Sequence, residues 1–256
     1  MKQAMIFAAG LGTRLKPLTD TMPKALVRVG GQPLLWHVVM KLKAAGYERI
    51  VVNVHHFAQQ IIDYLQENRN FGLDIRISDE SQQLLETGGG IRKALPLFDP
   101  TEPILIHNVD ILSNLDLTRG LSPCEPTLTQ GLSSCGSALG LLVVSQRQTK
   151  RYLQFDDSMQ LVGWKNIETG EVKGPIATTH HPSPTTQLAF SGLHILYPPA
   201  FPLLKEWPER FPIMDFYLKV CADHVIRGYE VTDLRLLDVG KLDTLEGAEE
   251  FIRAQQ

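Results

Sequence analysis

The sequence predicts an α/β protein whose sheet is mostly parallel and carries helices on both faces. Three observations lead there. Apolar, β-branched runs alternate with segments of helical spacing through the first half of the chain, the pattern of a parallel sheet covered on both sides. The first such run is stopped by Gly10-Leu11-Gly12, where the backbone must leave the sheet sharply. The 256 residues are 43% hydrophobic and 21% charged, ordinary values for a globular chain with a sizeable core.

In chain order, residues 5–9 form the first strand. Residues 33–45 have apolar side chains at helical spacing, with Pro33 at the first helical position and Gly46 just past the end. Residues 50–54 are a β-branched run and hence a strand, 57–65 are helical, and 73–77 alternate as a strand does. A short helix is expected over 90–95 and a further strand over 104–106. The longest apolar stretch, 138–144, reads as a buried strand.

The second half is less regular. Residues 119–137, rich in Ser, Thr, Pro and Gly, are expected to be a surface loop. Strands over 152–155 and 161–164 flank Asp156-Asp157-Ser158 as a hairpin, and 177–186 form another loop. A long strand over 188–196 is interrupted at Gly192. Helices follow from Phe201 and from Asp215, and one closes the chain near 242–254. Without repeats, low-complexity tracts or a linker, residues 1–256 are expected to form one domain.

Composition excludes several functions. With 25 Lys+Arg against 28 Asp+Glu the formal charge is −3, which rules out a binder that holds nucleic acid or anionic lipid by net positive charge. The 7% of aromatic residues form no stripe for stacking single strands. No apolar stretch approaches the roughly 20 residues of a membrane span. The apolar core at residues 4–9 is too short for an export signal. The three cysteines, Cys124, Cys135 and Cys221, are too few and scattered for a disulfide framework or a zinc site. A cytoplasmic protein without nucleic-acid or membrane partners is therefore expected; nothing indicates an oligomeric state. The pairs His55-His56 and His180-His181 are poor joint metal ligands, because adjacent residues of a strand point opposite ways.

The most informative segment is Ala8-Ala9-Gly10-Leu11-Gly12-Thr13-Arg14-Leu15-Lys16-Pro17-Leu18-Thr19, followed by Met22-Pro23-Lys24. Glycines after a first strand bring backbone N–H groups against a phosphate chain. Arg14 offers a fork of donors and Lys24 a mobile point charge. The competing reading is a plain turn whose cations face solvent. A dinucleotide fingerprint needs a third glycine and a helix opening at once, whereas Pro17 interrupts here. A P-loop needs Gly-Lys-Ser/Thr, which is absent.

Position for position, this stretch resembles the signature of the sugar-nucleotide pyrophosphorylases, nucleotidyltransferases that join a nucleoside triphosphate to a sugar 1-phosphate. Leu84-Leu85-Glu86-Thr87-Gly88-Gly89-Gly90-Ile91 resembles their second glycine-rich segment, which lines the base pocket. Asn108-Val109-Asp110 resembles the metal-binding aspartate motif, with Val109 in place of its usual glycine. Phe190-Ser191-Gly192-Leu193 resembles the strand whose glycine lets the sugar approach. Leu237-Asp238-Val239-Gly240 resembles a late motif giving a second metal ligand, with Lys241 where Thr is usual.

The resemblance implies a Rossmann-like, mixed and mostly parallel sheet, the nucleotide-diphospho-sugar transferase fold. It implies a nucleotide-binding half at 1–118 and a sugar-phosphate-binding half at 119–256. Ala9, Gly10, Leu11, Gly12 and Thr13 would hold the triphosphate, with Leu85, Gly88, Gly89 and Asn108 completing the nucleotide site. Arg14 and Lys24 would be the catalytic cations. Asp110 and Asp238 would bind Mg²⁺, as two carboxylates suit a hard cation that phosphates and water complete. Ser191, Gly192 and Lys165 would face the sugar phosphate. The 85–91 segment is similar to that of short members that uridylylate N-acetylmuramic acid 1-phosphate. Guanylyltransferases acting on mannose or heptose 1-phosphate share much of it. A catalytically silent, sugar-nucleotide-binding regulator is the rival from another class, and such a relative is expected to lose Arg14, Lys24 or a metal aspartate. All are retained.

Overall fold

The computed structural model describes residues 1–118, 138–177 and 185–253. The loop expected at 119–137, with Cys124 and Cys135, and the pair His180-His181 lie outside the described residues.

The chain opens with β1 (Lys2–Phe7), then a small hairpin of β2 (Arg28–Val29) and β3 (Gln32–Pro33) leading into α1 (Leu34–Ala44). Pro33 stands one position earlier than expected. It caps α1 in an extended conformation (φ −60°, ψ 150°), because β3 claims it for the hairpin. Next come β4 (Tyr47–Val54), α2 (Ala58–Glu67), β5 (Asp74–Asp79), α3 (Glu86–Ala94), β6 (Ile104–Asn108) and β7 (Ile111–Ser113). The second half supplies β8 (Ala138–Ser145), β9 (Arg151–Phe155), β10 (Leu161–Asn166), β11 (Val172–Lys173) and β12 (Thr186–Leu196). Then follow α4 (Ala200–Glu206), α5 (Ile213–Val220), β13 (Val225–Glu230), β14 (Leu236–Asp238) and α6 (Asp243–Arg253).

A ten-stranded mixed sheet runs β11-β10-β9-β12-β6-β1-β4-β5, with β8 paired to β12 and β13 paired to β8. The stretch β6-β1-β4-β5 is parallel, and β12 joins it antiparallel to β6. β12 serves two partners along its length: Leu193–Leu196 pair with β6 and Thr186–Leu188 pair with β9. The chain bends between them at Gly192 (φ +77°), where the pairing with β8 also slips. The interruption read in the sequence is thus a bulge that lets one strand turn from the central sheet to the β9–β11 extension. Sequence reading missed β13, whose Arg227-Gly228 breaks the apolar run, and the short β7–β14 pair.

Period-two alternation sorts the core into two layers. In β1, Ala4 and Ile6 pack with Leu34, Val38 and Ile61 on one face, and Met5 packs with Ile91 and Ile106 on the other. Among the described residues, no helix is long and apolar enough to cross a membrane.

Two histidines are buried in this sheet. His194 of β12 lies 3.4 Å from the Tyr217 hydroxyl through Nδ1, and its Nε2 has no partner among the described residues. Burial pushes its imidazole down to about 3, and that of His107 down to about 4. In the unfolded chain both titrate near the ordinary value of about 6.5. Below that pH the unfolded state takes up protons that the folded state refuses. Stability to denaturant is therefore full above about pH 6.5 and falls as pH drops toward 4, by up to about 1.4 kcal/mol per pH unit for each histidine. His194→Phe should make the profile shallower over this range. Parallel profiles for wild type and variant would show that this histidine is not held neutral.

Candidate active site

In the parallel stretch, the chain winds one way from β1 to β4 and β5 and the other way to β6. A crevice opens beyond the C-terminal ends of β1 and β6, where open α/β sheets bind ligands. A cleft of about 460 Å³ occupies that position. Its walls come from the end of β1 (Phe7 to Gly10), the end of β6 (Asn108 to Asp110), Lys24, and the approach to α3 (Leu84, Glu86, Thr87).

The loop after β1 is fixed from within. Gly12 adopts a left-handed conformation (φ +65°), and its carbonyl accepts from Thr19 Oγ1 and from Leu15 N–H, both at 2.8 Å. A methyl group at Gly12 would sit 2.8 Å from Thr19 Cγ2. Gly10 differs: a side chain there would meet no atom within 4 Å, so nothing in the protein demands a glycine. It leaves bare backbone on the cleft wall.

Lys24 follows Pro23 on a single helical turn and is buried, and its ammonium forms an ion pair with Asp110 Oδ2. That pair joins the loop after β1 to the end of β6. Asp238 is brought to the same place by strand pairing. It stands opposite Ile111 in the β14–β7 ladder, and Val239 N–H donates to the Asp110 carbonyl at 2.8 Å. A methyl at Gly240 would meet both Asp238 Oδ1 and the Arg14 guanidinium at 2.6 Å, so the absence of a side chain there lets Arg14 lie beside Asp238. The structure thus gathers Arg14, Lys24, Asp110 and Asp238, four residues spread over more than two hundred positions. Two hard carboxylates, one in the turn between β6 and β7 and one at the end of β14, are a donor set that fits a Mg²⁺ ion.

Other expected positions fall differently. Gly88 and Gly89 lie inside α3, which begins at Glu86 rather than at Gly90. Their N–H groups donate to the Phe211 carbonyl at 2.8 and 3.2 Å. A methyl at Gly88 would lie 2.2 Å from the Phe211 ring, and one at Gly89 2.2 Å from the Glu209 carbonyl. These glycines, with buried Leu85, serve helix packing, and the segment reaches the cleft through Leu84, Glu86 and Thr87. Ser191 is buried and spends its hydroxyl on the Val143 carbonyl at 2.6 Å, while Gly192 lies against the Asn108 amide. Lys165, on β10 between Tyr152 and Val172, does not line the cleft.

Sequence reading missed Glu80 and Asn53. The fully buried Glu80 carboxylate accepts from Asn53 Nδ2 at 2.8 Å and from Leu85 N–H at 3.0 Å, while Asn53 Oδ1 accepts from Ala8 N–H at 2.8 Å. One carboxylate therefore ties together β4, the residue after β1 and the start of α3. Gly90 leaves room for it, as a methyl there would lie 2.7 Å from Glu80 Oε1. No local pattern marks these residues.

The two glycine types predict opposite variants. Gly88→Ala should lower the thermal midpoint, since overpacking against Phe211 costs about 2 kcal/mol or more. Gly10→Ala should leave the midpoint unchanged and weaken stabilisation by added nucleoside triphosphate. A Gly88→Ala protein as stable as wild type would contradict the packing account.

A crevice beyond parallel strands, walled by an amide-bearing loop and by the Lys24–Asp110 ion pair, makes this an α/β protein with its cleft at the usual ligand position of open sheets. The family model described as Nucleotidyl transferase matches residues 3–137, and the chain belongs to that family. It is 46% identical over 117 residues to N-acetylmuramate alpha-1-phosphate uridylyltransferase of Neisseria meningitidis serogroup B, covering 45% of this chain and 50% of that protein. It is 50% identical over 111 residues to the Caulobacter vibrioides protein of the same name, covering 43% of this chain and 46% of that one. The chain thus spans about half the length of the curated relatives it matches. HddC from Yersinia pseudotuberculosis, crystallised with GMP-PN, shares the fold: TM-score 0.72 at 22% identity, over 98% of this chain and 100% of that one.

Proposed function

We propose that the protein transfers a nucleotidyl group from a nucleoside triphosphate to a sugar 1-phosphate, releasing pyrophosphate. The observation that carries this reading is the Lys24–Asp110 ion pair set where the amide loop meets the end of β6. A phosphate oxygen of the sugar 1-phosphate attacks the α-phosphorus, and the bond to the β-phosphate oxygen breaks. The nucleophile is already an anion, so no general base is needed. The work is positioning and charge neutralisation. Backbone N–H groups of residues 10–13 and the Arg14 guanidinium hold the departing pyrophosphate, with Ala9, Leu11 and Asn108 shaping the nucleotide site. Lys24 bridges the α-phosphate and the sugar phosphate. Asp110 and Asp238 would hold Mg²⁺, which supplies charge neutralisation on the phosphates.

UTP and N-acetylmuramic acid 1-phosphate are the proposed substrates, supported by the 46% and 50% identity to uridylyltransferases of that sugar phosphate. The reading puts the protein in the cytoplasm, with sugar binding in the half beyond residue 118.

Asp110→Asn keeps the shape of the side chain and removes its charge. Turnover at saturating Mg²⁺ should fall by about a hundredfold or more, with Asp238→Asn in the same direction. Near wild-type turnover of Asp110→Asn would rule out the metal role. Lys24→Ala should depress kcat more than it raises KM, because its charge acts on the transferring group.

A base edge read by hydrogen bonds discriminates strongly, since a mismatch leaves buried groups unpaired. UTP should exceed GTP by at least about tenfold in kcat/KM. A preference for GTP with mannose 1-phosphate would overturn the substrate choice and leave the reaction class standing.

A further inference from the structure

A second cavity, of about 310 Å³, lies beside the cleft and plays no part in the account above. Its apolar lining includes Leu153, Trp164, Phe190 and Met214, and its charged lining is Arg147, Arg151, Lys173 and Asp215. Three cations against one anion leave an excess of positive charge around an apolar surface. Arg147 is held in place, donating to the Phe190 carbonyl at 2.8 Å. The Lys173 ammonium stands 5.4 Å from the centre of the Trp164 ring. Its other partner, Glu171 at 3.3 Å, is an exposed neighbour in a solvent-screened pair. Lys173 reaches this cavity, whereas Lys165 lines neither it nor the cleft.

The two cavities are neighbours along two separate segments. On β12, Phe190 lines the second cavity, while Gly192 lies against Asn108, which lines the first. Before and within α5, Pro212 lines the first and Met214 and Asp215 line the second. Two strand residues span about 7 Å. That is the distance between the anomeric phosphate of a hexose and a substituent on the far part of its ring. Because Phe190 and Gly192 bring the two linings this close, a sugar bound in the cleft is within reach of the cationic cavity.

We propose that this cavity receives an anionic ring substituent, a carboxylate carried on the sugar, and that Arg151 and Lys173 select acidic sugar 1-phosphates over neutral ones. The inference rests on the reaction proposed above and adds the residues that choose its acceptor. Arg147, committed to the Phe190 carbonyl, positions the cavity wall. Arg and Lys are donor-only groups at neutral pH, so a neutral substituent gains far less from them than a carboxylate does.

The test compares N-acetylmuramic acid 1-phosphate with N-acetylglucosamine 1-phosphate, the same sugar without the lactyl carboxylate. Wild type should favour the acid by about tenfold or more in kcat/KM and in binding affinity. In the Arg151→Gln, Lys173→Gln double variant the loss should fall on the acidic sugar at least about tenfold more than on the neutral one, bringing the ratio toward one. Equal losses on both sugars, or no wild-type preference, overturn the proposal. Calorimetric titration of each sugar 1-phosphate without triphosphate keeps the two readings separable. A charge-dependent preference in binding without pyrophosphate release supports the cavity and sinks the reaction. Transfer without any preference does the reverse.

Discussion

A buried lysine paired with an aspartate at the mouth of the cleft is the constraint around which this molecule is arranged. Taking two charges out of water is costly, and removing either partner leaves the other uncompensated. Lys24 and Asp110 stand 86 residues apart, one in the segment after β1 and the other just past the end of β6. Holding them together requires that the loop after β1 and the end of β6 be fixed to each other. Each local feature serves that end. The Gly12 carbonyl is pinned by Thr19, Pro23 starts the turn that carries Lys24, and β14 brings Val239 onto the Asp110 carbonyl. The pair is also a store of charge that substrates can use. A phosphate entering the cleft offers Lys24 a second anion, and a divalent cation offers Asp110 a second positive charge.

Below the cleft, Glu80 acts as a second fastener of the opposite kind. Its carboxyl group is wholly enclosed and accepts hydrogen bonds from Asn53 Nδ2 and the Leu85 N–H. A buried polar group left without such partners is costly, and here the hydrogen bonds join three elements whose ends make the cleft floor. The glycines of α3 follow from it. Helical glycine costs about 1 kcal/mol relative to alanine. The cost is borne at residues 88–90 because the helix must lie flush against Phe211, Glu209 and Glu80.

How much of this could be read from the sequence depended on whether the signal was local. The loop after β1 was legible because its glycines, Arg14 and Lys24 all stand together between residues 10 and 24. The strand and helix alternation of the first half was legible because a buried parallel sheet writes a strong apolar period. Asp110 and Asp238 were recognisable by their positions at the ends of apolar runs, but only strand pairing set them together. Glu80 and Asn53 left no trace, since their meaning lies in contacts between separate strands. Gly88 and Gly89 read as part of a base pocket because glycine signals close approach to a ligand and close packing of a helix in the same letter. Lys173 carried no signal of its own, since only the β10–β11 register places it across from Trp164.

The central claim is that this cleft joins two phosphates and expels a third group as pyrophosphate. The most direct measurement is a product balance: purified protein with UTP, N-acetylmuramic acid 1-phosphate and Mg²⁺, with pyrophosphate and sugar nucleotide quantified in the same reaction. The account predicts equal amounts of both, formed only when the sugar 1-phosphate is present. Release of inorganic phosphate, or triphosphate consumption that does not depend on any sugar 1-phosphate, would contradict it.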